Sequence, residues 1–191
     1  PIRWEPELGT RIGVMPRDGG SADVVWFETD PCFVFHPMNA YTESNQVIAD
    51  VCQFRHVPLF SLEDDSAQAN MPTLTRWTLD LETKSIKMEQ RDDQACEFPR
   101  LDERYAGLQY HGGYAAGINS SSSLSDGGFN TVIHYDHTTG QQRVHDLGSS
   151  SYASEPNFVP RSESSEEGEG FLLVGVYRKG EHRSDLVILD A

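Results

Sequence analysis

Short runs in which apolar and polar residues alternate recur along most of the chain. They are TRIGVMPR (10–17), ADVVWFET (22–29), QVIADVCQF (46–54), LTRWTLDL (74–81), NTVIHYDH (130–137), FLLVGVYR (171–178) and DLVILDA (185–191). Each is rich in β-branched and aromatic residues and is bounded by turn residues such as PRDGG, TTGQ or RKGEHRS. No segment keeps a 3.6-residue apolar period over a helical length. The pattern predicts an all-β chain. The serine-rich NSSSSLSDGG (119–128) predicts an exposed loop.

Aligning these runs brings out a repeat. LTRWTLDLETKSI and NTVIHYDHTTGQQRV each close an alternating apolar run with Asp-x-x-Thr, and their aspartates, Asp80 and Asp136, stand 56 residues apart. Asp190 follows after another 54, and Glu28 precedes Asp80 by 52. Units of roughly 50 residues holding a few strands each are what β-propeller blades look like. A run of unrelated hairpins in a β-sandwich is the competing architecture. We take the propeller, with the acidic residue ending an outer strand of each blade.

That choice gives meaning to CFVFHPMNAYTE (32–43), where a short apolar run leads into a histidine. After each acidic strand end the chain has to return to the axis and start the innermost strand of the next blade. His36 in FVFHPMNA, Glu97 in CEFPRL and Glu155 in SEPNFVPR all lie at such returns, 61 and 58 residues apart. A lone strand-end histidine is most often a packed core residue. Three such residues in step around an axis suggest a metal-ligating imidazole oriented by carboxylates that accept its free N–H. The other histidines fall in turns or on outward positions, and His134 and His137 read as surface residues. No G-x-S-x-G elbow, P-loop, GxGxxG or H-E-x-x-H is present, and GGYAAGI is too loose for a phosphate loop.

Composition narrows the classes. The net charge of −15, with no basic stripe, makes nucleic acid an unsuitable partner. Part of the charge sits in SESSEEGEG (162–170), which reads as a solvated loop. Cys32, Cys52 and Cys96 form no C-x-x-C pair, which argues against a zinc site or a disulfide framework and for a reducing, cytoplasmic compartment. No apolar run approaches the ~18–20 residues that span a bilayer. The chain opens without Met and closes within a strand-like run. The expectation is therefore a partial β-propeller domain over residues 1–191, cut at both ends.

FVFHPMNAYTE, CEFPRLDERYAG, SEPNFVPR and EGEGFLLVGVYRKGEHRSDLVILDA, in this order, resemble the carotenoid cleavage oxygenases, the retinal pigment epithelial membrane protein family, which includes lignostilbene dioxygenases. The resemblance covers nearly the whole chain. It implies a seven-bladed β-propeller, of which this chain covers about three to four blades, capped by loops that form a hydrophobic tunnel. It implies an axial non-haem Fe(II) held by four histidines, three of them oriented by glutamates. His36 matches the ligand of the F-H-x-x-N-A motif. Glu97 and Glu155 match orienting glutamates of E-F-P-R and E-P-x-F-V-P, and the remaining ligands lie outside these residues. The family often has an acidic residue directly after N-A-Y; here Thr42 intervenes before Glu43, which leaves Glu43 without an assigned role.

The implied reaction is cleavage of a conjugated C=C bond of a carotenoid, apocarotenoid or stilbene by O₂ into two carbonyl products. A four-histidine site has no anionic ligand and keeps open positions for O₂. Phe33, Phe35, Met38 and Tyr41 would lie near the site, facing substrate or packed in the blade. Peripheral membrane contact in this family comes from an apolar patch at the tunnel entrance, and no such patch is visible here. A non-catalytic propeller that binds other proteins is the alternative. With one of four ligands, the isolated 191 residues are expected to hold no stoichiometric iron and to be inactive.

Overall fold

The computed structural model describes residues 3–58, 70–119 and 128–191. Among these, the only helical elements are single 3-10 turns, and all other regular structure is strand. β1 (Thr10–Val14) and β2 (Val25–Thr29) form an antiparallel hairpin. β3 (Phe33–Glu43), β4 (Gln46–Phe54) and β5 (Thr73–Asp80) then meander outward to β6 (Ile86–Leu101).

The 16-residue β6 serves two blades. Residues 86–90 pair with β5 as the outermost strand of one blade, and residues 96–101 pair with β7 (Gly112–Gly117) as the innermost strand of the next. Its burial changes accordingly. The charged outer half stays largely exposed, whereas Cys96, Glu97 and Leu101 are buried. Charge on an unpaired edge discourages pairing with another chain.

β8 (Thr131–Asp136) and β9 (Gln141–Asp146) complete the second blade. β10 (Ser151–Ala153) and β11 (Asn157–Pro160) lie end to end along β12 (Gly170–Arg178), which pairs with β13 (Arg183–Asp190). The described residues thus hold two complete four-stranded blades, an outer hairpin before them and three strands of a blade after them.

The core fills the layers between successive sheets. Phe27, Val51, Trp77 and Leu79 pack the β1–β2 hairpin against the first blade. Met38, Tyr41, Leu74, Cys96, Tyr110 and Ile133 fill the layer between the two blades. Tyr114, Val132, Leu172, Val174 and Val176 join the second blade to the third. Burying one such side chain contributes about 1.5–3 kcal/mol. The blades approach closely where β7 is glycine-rich: a Cβ at Gly113 would sit 2.2 Å from the Met38 sulfur.

All seven predicted strands are present, and the Asp-x-x-Thr repeat is a real turn. The Asp80 side chain accepts from the N–H of Glu82 and Thr83, and that of Asp136 from Thr138 and Thr139. Two details of the repeat change. Asp80 and Asp136 end the third strand of each blade, because the polar outermost strands, 86–90 and β9, follow them. Glu28 lies on β2, the outermost strand of its own blade, so it is not their equivalent.

The acidic segment 162–170 is mostly exposed, as expected of a solvated loop, but it is also tied down at several points. Arg104 donates to the carbonyls of Ser165 and Glu166, and the Glu167 carboxylate accepts from the N–H groups of His111 and Gly112 and pairs with the His111 ring. Most of the predicted serine loop, 120–127, lies outside the described residues.

Candidate metal site

The three innermost strands share one irregularity. In β3, Val34 pairs with Gln53 but Pro37 with Val51; in β6, Glu97 pairs with Ala116 but Arg100 with Tyr114. From β10 to β11, Ala153 pairs with Val176 but Asn157 with Leu173. Each innermost strand therefore carries extra residues relative to its partner, one in β6 and between β10 and β11, and two in β3, whose register shifts again between Pro37 and Asn39. Each does so beside a proline: Pro37, Pro99 or Pro156. Proline has no N–H to give to a ladder, and a bulge re-aims the side chains around it. His36 sits in the first bulge, Glu97 at the entrance of the second and Glu155 in the third break.

The second bulge is sharp. Phe98 has φ of 54°, in the left-handed region that side chains other than Gly, Asn or Asp seldom occupy. This bend turns the Phe98 N–H back onto the carboxylate of Glu97. The same carboxylate oxygen, Oε2, lies 2.6 Å from Nδ1 of His36. Glu97 is 5% exposed and His36 43% at the side chain, so the carboxylate lies behind the ring, away from solvent.

Burial pushes the Glu97 carboxyl up from its usual value, the Phe98 N–H and His36 pull it down, and the nearby charge of Glu155 adds to the rise. A carboxylate accepting from Nδ1 places the imidazole proton there and leaves the Nε2 lone pair available. The other oxygen of Glu97, Oε1, is buried without a hydrogen-bond partner.

Aromatic rings surround the pair. Phe98 and Phe35 lie 5.5 and 6.2 Å from the His36 ring, and Phe35 contacts Phe33 and Phe54 edge-on. Met38 and Tyr41, in contrast, are buried in the layer between the blades.

The structure joins His36 and Glu97. Glu155 stands apart from them and meets Arg100 at 3.4 Å. Glu43 is exposed at the end of β3.

Three features escaped the sequence reading. First, Asn39 is the tie between two motifs. Its amide donates to the carbonyls of Tyr105 and Leu108 and accepts from the N–H of Gly107. Gly107 has φ of 79°, which suits glycine. The N-A of the first motif therefore clamps the R-Y-A-G that follows the second, which ties β3 to the segment after β6.

Second, Asp102 accepts from Arg104, both at the backbone N–H and at the guanidinium, and Arg104 in turn anchors the 162–170 segment. Third, His137 is a correction. Its ring stands edge-on 4.7 Å from Tyr110 with Nε2 buried, and burial lowers its pKa to about 4. His134 likewise stacks on Tyr114 and is partly buried. Tyr114, its cross-strand neighbour on β7, covers one face of the His134 ring.

Comparison with known proteins fits this geometry. The family model described as "Retinal pigment epithelial membrane protein" matches residues 1–191. The chain belongs to this family.

Within the family it is 34% identical over 198 residues to a carotenoid cleavage oxygenase of Mycobacterium tuberculosis, covering 100% of this chain and 39% of that protein. It is 36% identical over 201 residues to the isoeugenol monooxygenase of Pseudomonas putida, covering 98% of this chain and 42% of that protein. The crystal structure of Pseudomonas brassicacearum lignostilbene dioxygenase superimposes with a TM-score of 0.89 at 30% identity, over 98% of this chain and 42% of that one. Cobalt-substituted Synechocystis ACO superimposes with a TM-score of 0.86 at 27% identity, over 98% and 40%. The chain therefore spans about two fifths of the length of the relatives it matches. The family's fold is a seven-bladed β-propeller, and the described strands supply two whole blades and parts of two more.

The chemistry of the donor set suits a metal in one respect. His36 offers a single imidazole whose Nδ1 is held by a buried carboxylate, the usual setting of a metal-ligating histidine. Among the described residues no group of three or more His, Cys, Asp and Glu is placed to hold an ion.

Proposed function

We propose that these residues are part of a longer propeller domain that acts as a non-haem Fe(II)-dependent oxygenase. It would cleave a C=C bond of a carotenoid, apocarotenoid or stilbene-like substrate with O₂ to give carbonyl products. The observation that carries the proposal is the 2.6 Å hydrogen bond between His36 and Glu97 across two adjacent innermost strands. The relatives named as oxygenases and dioxygenases of carotenoid and stilbene-type compounds support the reaction class.

In this reading His36 Nε2 is one iron ligand. Glu97 fixes the tautomer and the plane of that imidazole through Nδ1–H, and the Phe98 N–H fixes Glu97. Glu155 does the same for a ligand imidazole outside these residues. Bound iron supplies the activation of O₂. The protein's part is to orient the ligands and to keep the surroundings dry. Phe35 and Phe98, beside the His36 ring, give that side of the site an apolar wall for a conjugated substrate.

Among the described residues no helix is long and apolar enough to cross a membrane. The three cysteines are free and buried, which supports the reading of a reducing, cytoplasmic compartment.

The test is iron content and turnover of the full-length protein. Glu97→Gln should lower iron retention or activity about 10- to 100-fold, and Glu155→Gln by a similar factor. His36→Ala should abolish both. Unchanged iron and unchanged turnover in all three variants would sink the assignment.

A further inference from the structure

Glu97 and Glu155 lie at the irregularities of successive innermost strands, Glu97 at the entrance of its bulge and Glu155 in the break between β10 and β11, and they are held differently. Glu97 is buried, and the bulge aims a backbone N–H at it. Glu155 is 41% exposed at the side chain, and among the described residues no backbone N–H is placed on its carboxylate. Its one described side-chain partner is Arg100, whose Nη1 lies 3.4 Å from Oε2. Arg100 leaves β6 three residues after Glu97, just past the bulge. Its Nη2 is fixed by Glu103 at 2.7 Å, and its Nε is buried without a partner. The guanidinium is thus tethered at one end by Glu103 and presents the other end to Glu155. That contact takes Oε2 and leaves Oε1 for an imidazole N–H.

We infer that Arg100 is a positioning residue for the metal site. It does for Glu155 what the Phe98 N–H does for Glu97, and it carries the geometry of the second blade's innermost strand across to the third. The inference rests on the reading that Glu155 orients a ligand histidine.

A half-exposed ion pair of this kind adds little to folding stability, so the effect should appear at the metal and not in unfolding. The experiment uses the full-length protein loaded with Fe(II) and measures the rate of iron loss to a chelator, beside the unfolding midpoint. Arg100→Gln should speed iron loss by about 3- to 10-fold, with the midpoint nearly unchanged. Arg100→Lys, which keeps a cation there, should restore part of the lost retention. In the double variant Arg100→Gln/Glu155→Gln, iron loss should be no faster than in Glu155→Gln alone, because Arg100 acts only through Glu155.

An unchanged rate in Arg100→Gln, or independent effects of the two substitutions, would overturn the role of Arg100 while leaving the iron site standing. A wild-type protein that takes up no iron would overturn the metal reading itself, and this inference with it.

Discussion

Two places in the molecule combine a buried carboxylate with a nearby histidine, and they end differently. Between the blades, Asp50 is fully buried. Both of its oxygens accept from Arg76, at 2.8 Å each, and Oδ2 also accepts from the Tyr110 hydroxyl at 2.6 Å. Burial alone would raise its pKa, but Arg76 and Tyr110 outweigh that and hold it below the usual value. The His137 ring packs on Tyr110 and stays neutral.

At the innermost strands, Glu97 is nearly as buried, yet one oxygen has no partner and burial keeps its pKa raised. Its histidine is half exposed, with the far nitrogen uncommitted. A carboxylate with both oxygens engaged, facing a guanidinium, is a closed structural unit. A carboxylate that spends one oxygen on orienting an exposed imidazole is an open one, and openness is what a ligand requires. Residue types alone do not separate the two; the completeness of the hydrogen bonding does.

If that contrast is right, damage to the closed unit should appear in stability and damage to the open one in metal retention. The largest effect is expected from Asp50→Ala, which leaves the Arg76 guanidinium mostly buried and uncompensated. Urea unfolding of the full-length protein should show a loss of about 3–5 kcal/mol. A loss below 1 kcal/mol would mean that the network is dispensable.

The second expectation concerns pH. The folded pKa of His137 is about 4 against an ordinary 6.5. Below 6.5 the unfolded chain therefore binds a proton that the folded one refuses. Stability should be full above about pH 6.5 and fall towards pH 4, by up to about 3 kcal/mol. His137→Gln should flatten the profile in that window, and an unaltered slope would place the acid sensitivity elsewhere. Asp50 contributes in a separate window, because its depressed pKa makes its share vanish only below the ordinary carboxylate value of 3.8.

Third, Asn39→Ala removes three hydrogen bonds to the segment after β6 and should cost about 2 kcal/mol. It stands between the two kinds of site, since loosening β3 against β6 should also speed iron loss. Smallest in stability is Glu97→Gln, expected within about 1 kcal/mol of wild type because it removes a buried carboxylate that burial already disfavours. Its effect should instead appear in iron retention. A large stability loss in Glu97→Gln would erase the distinction between the two units.

Strands that bury a face announced themselves, because alternation is the direct consequence of one side meeting a core. β5, β8 and β12 were legible for that reason, and so were the Asp-x-x-Thr turns, which are made within four residues. The outer half of β6 (IKMEQ) and β9 (QQRVHD) were not. They are the outermost strands of their blades and bury little, so their sequences carry no apolar period. β7 (GGYAAG) was hidden by its glycines, which serve the close approach to Met38.

His36, Glu97 and Glu155 could be singled out from the sequence by their near-constant spacing, but not which carboxylate meets His36. His137 was misread because its neighbours in sequence, Asp136 and Thr138, are those of an exposed turn. The residues that bury its ring come from Tyr110 and from the neighbouring blade.

The sequence by itself determined the all-β character, the roughly 50-residue blade period and the near-constant spacing of His36, Glu97 and Glu155. These depend on periodicity and local turn chemistry, which short segments carry on their own. Only the tertiary structure decided which carboxylate faces which histidine, that each innermost strand bulges beside its proline, and that Asp50 is closed while Glu97 is open. Register, burial and hydrogen-bond partners come from segments tens of residues away. Their effects exist only once the blades have packed.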